Sequence, residues 1–406
     1  WAVRDGGIDG NLPGDDFHPL EDEIRAGTIT PSATNECANL DANYRNGGTV
    51  TIFEAVFPVC IVETRIEDNV QWPNNHVFVI DGTVNVGNGD VQLMGEVPTS
   101  TAVLTIQAGT QVYAAAGTAT SLVVTRGSAL TANGTSDLPI IFASVEVDRD
   151  GDNAVSAVNG DPTDLTQRGE WGGVVLSGFG VENAADTNNE LITEAAPTEQ
   201  ERWFGGNDNM DGSGSLRYIV IAESGFEFRT DGEVQGLTLE AAGSGTTLEF
   251  IQVIGSEDDC IEWFGGAASA KWLLCQGADD DGLDMDEGYV GNIQYAIVII
   301  GAINGERGIE SDNNSNFDRE PFSAPNLANI TILGDAGRAD KTTTAALHRE
   351  GFRGKVFRSV YSDNLTNGTT FEGGCLDIDN VLPAPLQYRD VIFNCSPGAL
   401  NDDDDA

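Results

Sequence analysis

Leu248-Glu-Phe-Ile-Gln-Val-Ile-Gly-Ser-Glu-Asp-Asp-Cys-Ile-Glu-Trp263 is restated in Ala270-Lys-Trp-Leu-Leu-Cys-Gln-Gly-Ala-Asp-Asp-Asp-Gly-Leu-Asp-Met285, at a constant offset of 22 residues. Ile251 falls on Leu273, Val253 on Cys275 and Gly255 on Gly277. Asp258-Asp259 falls on Asp280-Asp281, and Ile261-Glu262 on Leu283-Asp284. Self-similarity at such a period marks a repeat architecture, in which each unit buries its apolar face only against its neighbours. The units are short β-branched, Leu and aromatic runs between Gly, Asp, Asn and Ser turns, with no helical periodicity inside them. One coil of a parallel β-helix has that length. The spacing predicts an all-β, right-handed parallel β-helix.

The rhythm extends outward in both directions. His76-Val-Phe-Val-Ile, Ala102-Val-Leu-Thr-Ile and Ser121-Leu-Val-Val precede the repeat, and Ile293-Gln-Tyr-Ala-Ile-Val-Ile-Ile and Asn329-Ile-Thr-Ile-Leu follow it. Residues 71–395 are assigned to the solenoid. Residues 1–70 lack the rhythm and are expected to form an N-terminal cap, or an arm that adds a strand to a neighbouring molecule, because an open β-helix end leaves backbone groups unpaired. Residues 396–406, ending Asn401-Asp-Asp-Asp-Asp-Ala, read as a solvated acidic tail. Two polar insertions interrupt the coils, one from Asp148 and one over 182–214.

The 406 residues include 65 acidic and 20 basic ones, a net charge of −45. Such a surface repels phosphate, which argues against a nucleic-acid partner; it suits divalent cations, cationic partners or high-salt water. Six cysteines fall into three sequence-local couples, Cys37/Cys60, Cys260/Cys275 and Cys375/Cys395, which predicts disulfides and an oxidising, extracellular or cell-surface location. No run of about 20 apolar residues is present, so no transmembrane segment is expected.

In-register stacking has a chemical consequence. Glu262, Asp284 and Glu310 should form one line with a step of about 4.8 Å, flanked by Asp258/Asp280 and Asp259/Asp281. Unit charges at that spacing repel by roughly 3–4 kcal/mol at an effective dielectric near 20. Protonation, a basic partner, full hydration or a bridging cation must compensate. Only Lys271 is basic between Glu257 and Glu306. A structural Ca²⁺ site is therefore expected among Asp258, Asp259, Glu262, Asp279, Asp280, Asp281, Asp284, Asp286 and Glu310, since Ca²⁺ accepts six to eight oxygens in loose geometry. The competing reading is a hydrated acidic turn. Asp148, Asp150 and Asp152 resemble the first half of a calcium loop, although Asn159 stands where an EF-hand has its bidentate Glu. Asp208 and Asp211 offer a further Asp-rich turn.

Catalytic motifs are sparse. No Gly-His-Gly, GxSxG, P-loop or HExxH is present, and the three histidines, His18, His76 and His348, have no adjacent nucleophile pattern. Carboxylate pairs around Asp258 and Asp280 would suit glycoside cleavage, and Arg307 or Arg319 is available as a lyase base. β-helix architecture alone cannot decide between the two.

The ordered series Gly169-Glu-Trp-Gly-Gly-Val-Val-Leu, Ser213-Gly-Ser-Leu-Arg-Tyr-Ile-Val-Ile-Ala, Glu233-Val-Gln-Gly-Leu-Thr-Leu, Asp258-Asp-Cys-Ile-Glu-Trp-Phe-Gly-Gly and Asp280-Asp-Gly-Leu-Asp-Met-Asp-Glu-Gly-Tyr-Val-Gly-Asn-Ile-Gln resembles a family of secreted or surface-anchored, lipoprotein-like β-helix proteins of environmental bacteria. The resemblance covers roughly residues 100–335. It implies a right-handed parallel β-helix at the cell surface and brings no catalytic residues. The expected function is a non-catalytic, Ca²⁺-stabilised structural solenoid that self-associates as a filament, matrix or adhesion component. The alternative is a β-helix that binds or degrades polysaccharide.

Overall fold

The computed structural model describes residues 19–89, 97–147, 155–157, 168–184, 191–192, 203–229, 232–300, 305–334, 344–363, 374–379, 386–395 and 400–401. Successive strands stack in parallel into a right-handed β-helix. One face is a ten-stranded sheet running from Val84–Val86 through Ser121–Val124, Gly173–Ser177, Leu237–Glu240, Ile261–Phe264, Asp281–Asp286, Arg307–Ser311, Thr344–His348 and Leu376–Ile378 to Leu400–Asn401. The last strand pairs with Leu376–Ile378, so the ladder runs past residue 395 into the segment expected to be tail. Residues 402–406 lie outside the described residues.

The remaining two faces belong to one larger sheet, whose long strands bend in the middle. In Gly214–Ser224, Leu216 and Ile219 both point inward, so the alternation slips by one at Tyr218, whose φ is +50°. Phe250, Trp272, Tyr295 and Asn329 repeat the left-handed bend in the next four coils. Left-handed backbone costs a bulky residue about 1–2 kcal/mol. The rings offset part of that. Tyr218 stacks on Phe250 at 4.3 Å, Phe250 on Trp272 at 4.4 Å, and Trp272 on Tyr295 at 6.1 Å, with interplanar angles of 3°, 9° and 8°. Each such pair contributes about 0.5–1.5 kcal/mol.

Inside the coils, columns of like residues bury themselves completely. Leu237, Ile261, Leu283 and Ile309 align in register at 1% exposure or less. Burying each such side chain contributes about 1.5–3 kcal/mol. The disulfides join Cys37 to Cys60, Cys260 to Cys275 and Cys375 to Cys395, as the local couples predict.

The two ends differ. At the start, the helix Cys37–Leu40 lies against the first coil, and Tyr44 accepts a hydrogen bond from buried Trp72 at 2.9 Å. The strand Arg45–Ile52 pairs antiparallel with Ala55–Val62, turning at Phe53 and Glu54, both with positive φ. This hairpin, with Leu20, Ile24 and Ile29, packs on the outer side of the larger sheet against Val77, Val79, Tyr113 and Ile141. The first residues described therefore rest on the first coil and on one flank of the larger sheet. At the far end, Gln387–Arg389, Ile392–Asn394 and Leu400–Asn401 each have one paired edge among the described residues. Ile392 is 61% exposed there.

Candidate functional site: an acidic column on the ten-stranded sheet

Alternation within short strands puts Glu262, Asp284 and Glu310 on the outer side of the ten-stranded sheet, directly paired coil to coil. The line expected from the 22-residue repeat therefore exists. Thr238 precedes it and Leu347 follows it. Asp259 lies just before the strand Ile261–Phe264, and its Oδ1 accepts the Asp281 N–H at 2.8 Å. The Cys260 N–H in turn donates to the Asp281 carbonyl at 3.0 Å. This interlock makes the turns of two coils one unit.

Gly236, Gly282 and Gly308 let the chain approach the core here. A Cβ on Gly282 would stand 2.3 Å from Val298 Cγ1, and one on Gly308 2.4 Å from Ile332 Cγ2. Small residues thus seat the strands so that the acidic positions beyond them converge.

Two groups result. Asp258, Asp259 and Asp280 present carboxylate oxygens within 4.8 Å of one another, and so do Asp259, Glu262 and Asp284. Asp259 belongs to both. Oxygens that close can share one cation at about 2.4 Å, the Ca²⁺–oxygen distance. The donor set is entirely hard oxygen, which suits Ca²⁺ and not Zn²⁺. Asp281 Oδ1 is buried without a hydrogen-bond partner among the described residues, an orphaned acceptor beside the column that a cation would satisfy.

The electrostatics follow from burial and crowding. Burial and then the neighbouring Asp258, Asp284, Asp281 and Asp280 push Asp259 well above the usual carboxylate range. Asp281 and Asp284 are raised well above it too, by burial and then by Glu310. Burial and Asp312 push Asp286 up to about 8. Burial takes Asp312 up to about 7, against the restraint of the Arg349 guanidinium.

Basic groups do reach the column, although none follows Lys271 in sequence before Glu306. Arg307 enters from the next coil, 2.5 Å from Glu310 Oε2, 2.7 Å from Glu306 and 3.8 Å from Asp281. Arg349 enters from the coil after, pairing with Glu310 and lying 2.8 Å from Asp312. Asp312 and Arg349 carry no local sequence signal; only the register Ser311↔His348 brings them together. Charge pairing therefore serves the Glu310 end of the column.

The other candidates lie elsewhere. Asp279 faces Arg168 at 3.3 Å. Asp208 and Asp211 act as turn acceptors, Asp208 Oδ1 for the Met210 N–H at 2.9 Å and Asp211 Oδ2 for the Phe179 N–H at 3.1 Å. Neither belongs to a close group of three acidic side chains among the described residues. Asp148, Asp150 and Asp152 lie outside the described residues. His76 and His348 are both buried, and His348 packs flat on Phe352 at 4.9 Å. Arg319 donates its backbone N–H to the Asn316 carbonyl at 2.7 Å. The Arg-x-Lys spacing of pectin-cleaving hydrolases occurs at Arg353-Gly-Lys355, but on the other sheet, with Arg353 stacked over Phe322 at 3.1 Å.

A family model described as a pectate-lyase-like beta helix domain matches residues 65–403. No curated protein and no solved structure matches the chain.

Proposed function

Because the chain belongs to the pectate-lyase-like β-helix family, we infer that it uses that scaffold as a non-catalytic extracellular building block. In this reading the acidic column binds Ca²⁺ structurally. The observation that carries it is the sharing of Asp259 between two carboxylate groups on stacked coils. Like charges so placed destabilise the fold until a cation joins them, and then they tie neighbouring coils together. Three disulfides fit an oxidising location, and no helix among the described residues is long and apolar enough to cross a membrane. The likeness to lipoprotein-like surface proteins points the same way. Self-association is supported by the unlike ends, one with a helix and hairpin packed on it and one whose last strands each have one paired edge among the described residues, a heterologous arrangement that extends without closing.

Calorimetric titration with Ca²⁺, paired with negative-stain microscopy in Ca²⁺ and in chelator, tests this. Binding that Asp259→Asn abolishes, together with polymers that chelator disperses, is the expected result. A protein that neither binds Ca²⁺ nor associates ends the reading.

A second reading, cleavage of acidic polysaccharide, is favoured by Arg307 standing among the carboxylates as a β-helix lyase base would. Ultraviolet-absorbing unsaturated products from an acidic glycan, lost in Arg307→Ala, would establish it instead.

A further inference from the structure

We propose that a groove on the opposite side of the solenoid, where the aromatic column stops, binds the carboxylate or sulfate group of an acidic saccharide. The site is independent of the acidic column. A cavity of about 360 Å³ opens there, lined by Gln294, Asn329, Phe357, Arg358, Arg389 and Asp390. That is toward the small end of the range for small-molecule sites, roughly 300–1,000 Å³.

The bend explains why Arg358 is unexpected. Each coil from Tyr218 onward has a left-handed residue at this corner, and Tyr218, Phe250, Trp272 and Tyr295 offset its cost by stacking. Asn329 at φ +59° and Asp390 at φ +58° suit the conformation by themselves. Arg358, at φ +50°, has neither excuse. It makes no ion pair among the described residues, in a chain where acidic residues outnumber basic ones by 65 to 20. Strain kept without a structural return points to a binding role.

The second cation is placed by pairing. Phe357 and Arg389 are register partners, and the Arg358 N–H donates to the Arg389 carbonyl at 3.0 Å. Arg389 meets Asp390 only at 3.8 Å, with both side chains more than two-thirds exposed. Such a solvated pair gives way readily to a ligand. Two guanidinium groups and one carboxylate leave the groove with one net positive charge, matched to a single monovalent oxyanion that a planar guanidinium grips bidentately. The Gln294 and Asn329 amides, 3.4 Å apart, offer donors and acceptors to hydroxyls, and Phe357 offers an apolar surface to a sugar ring. A saccharide carries all three features.

The test is calorimetry in chelator, which removes cation-bridged binding at the acidic column. The probes are an oligoglucuronate, its carboxyl-reduced neutral counterpart, a sulfated neutral oligosaccharide, inorganic sulfate and an oligoaspartate peptide. The expected result is binding of one or both charged oligosaccharides, and which of them binds identifies the anion. Affinity falls at least tenfold for the neutral oligomer and at least tenfold in the Arg358→Asn, Arg389→Gln double variant. Asn keeps the left-handed backbone, and an unchanged melting curve confirms the fold; Gln294→Ala, which leaves both arginines, should weaken the oligosaccharide alone. Equal binding by the double variant, no binding of either charged oligosaccharide, or equal affinity for sulfate or the peptide would each overturn the proposal.

Discussion

Cys260 and Cys275 occupy in their coil the pair of positions that Gly282 and Val298 occupy in the next. Gly236 and Val253 hold them in the coil before, where a Cβ on Gly236 would come 2.5 Å from Val253 Cγ1. The disulfide thus replaces a close Gly–Val contact with a covalent one between the two sheets. Cys260→Gly with Cys275→Val should therefore keep the fold and its circular dichroism. The loss expected for a cross-link closing 15 residues is about 3 kcal/mol, read as a lower urea midpoint. Collapse of the structure would contradict the equivalence.

Stability should depend on pH in two opposed ways. Asp259, Asp281, Asp284, Asp286 and Asp312 all have folded pKa values raised above the unfolded carboxylate value. Their contribution is full below about pH 4 and is lost as pH rises through the folded values, about 7 for Asp312 and about 8 for Asp286. His348 is lowered to about 3 by burial. Its neutral form is favoured by folding, so stability from it is present above about pH 6.5 and declines as pH falls toward its folded value. Five acids outweigh one imidazole. In chelator the melting temperature should fall between about pH 4 and pH 8, and saturating Ca²⁺ should flatten that fall by holding the carboxylates ionised. A melting temperature that rises with pH in chelator would refute this sign.

Removing a ring from the middle of the corner column should cost more than removing one from its end. Trp272 stacks on both Phe250 and Tyr295, whereas Tyr295, at the other end of the run, stacks only on Trp272 among the described residues. At about 0.5–1.5 kcal/mol per pair, Trp272→Ala loses two pairs and Tyr295→Ala one. Denaturant titration of both variants checks the order.

A lysine in place of Ile392 should block end-to-end growth. Ile392 is 61% exposed on a strand with one paired edge among the described residues, and edge lysines oppose strand addition. Ile392→Lys should leave the melting temperature within about 1 °C, since exposed substitutions rarely exceed 0.5 kcal/mol. Light scattering should show the variant monomeric under conditions in which the parent associates.

The sequence is most readable where coils repeat without insertion. Glu262 over Asp284, and the three cysteine couples, follow from spacing alone, because a repeat that stacks in register converts an offset into contact. The corner rings escaped the same reading. Tyr218, Phe250, Trp272 and Tyr295 pass for ordinary strand hydrophobes, and the steps between them are uneven, 32, 22 and 23 residues. Arg349 and Asp312 were equally hidden, since the register partners beside them, Ser311 and His348, stand 37 residues apart, which masks the 22-residue period. The hairpin turn at Phe53-Glu54 lacks the Asn or Gly that marks such turns. What distance in sequence conceals, the ladder restores only once strands are paired.

Ile219 to Ile251 spans 32 residues, Ile251 to Leu273 only 22, and Ile293 to Leu327 34, yet each pair sits side by side. Alignment passes from strand to strand, so excess chain is shed outward into excursions that no later coil has to accommodate. Such a molecule can change what it displays along its flanks by lengthening or trading one excursion at a time, while the shaft that carries them keeps its pitch.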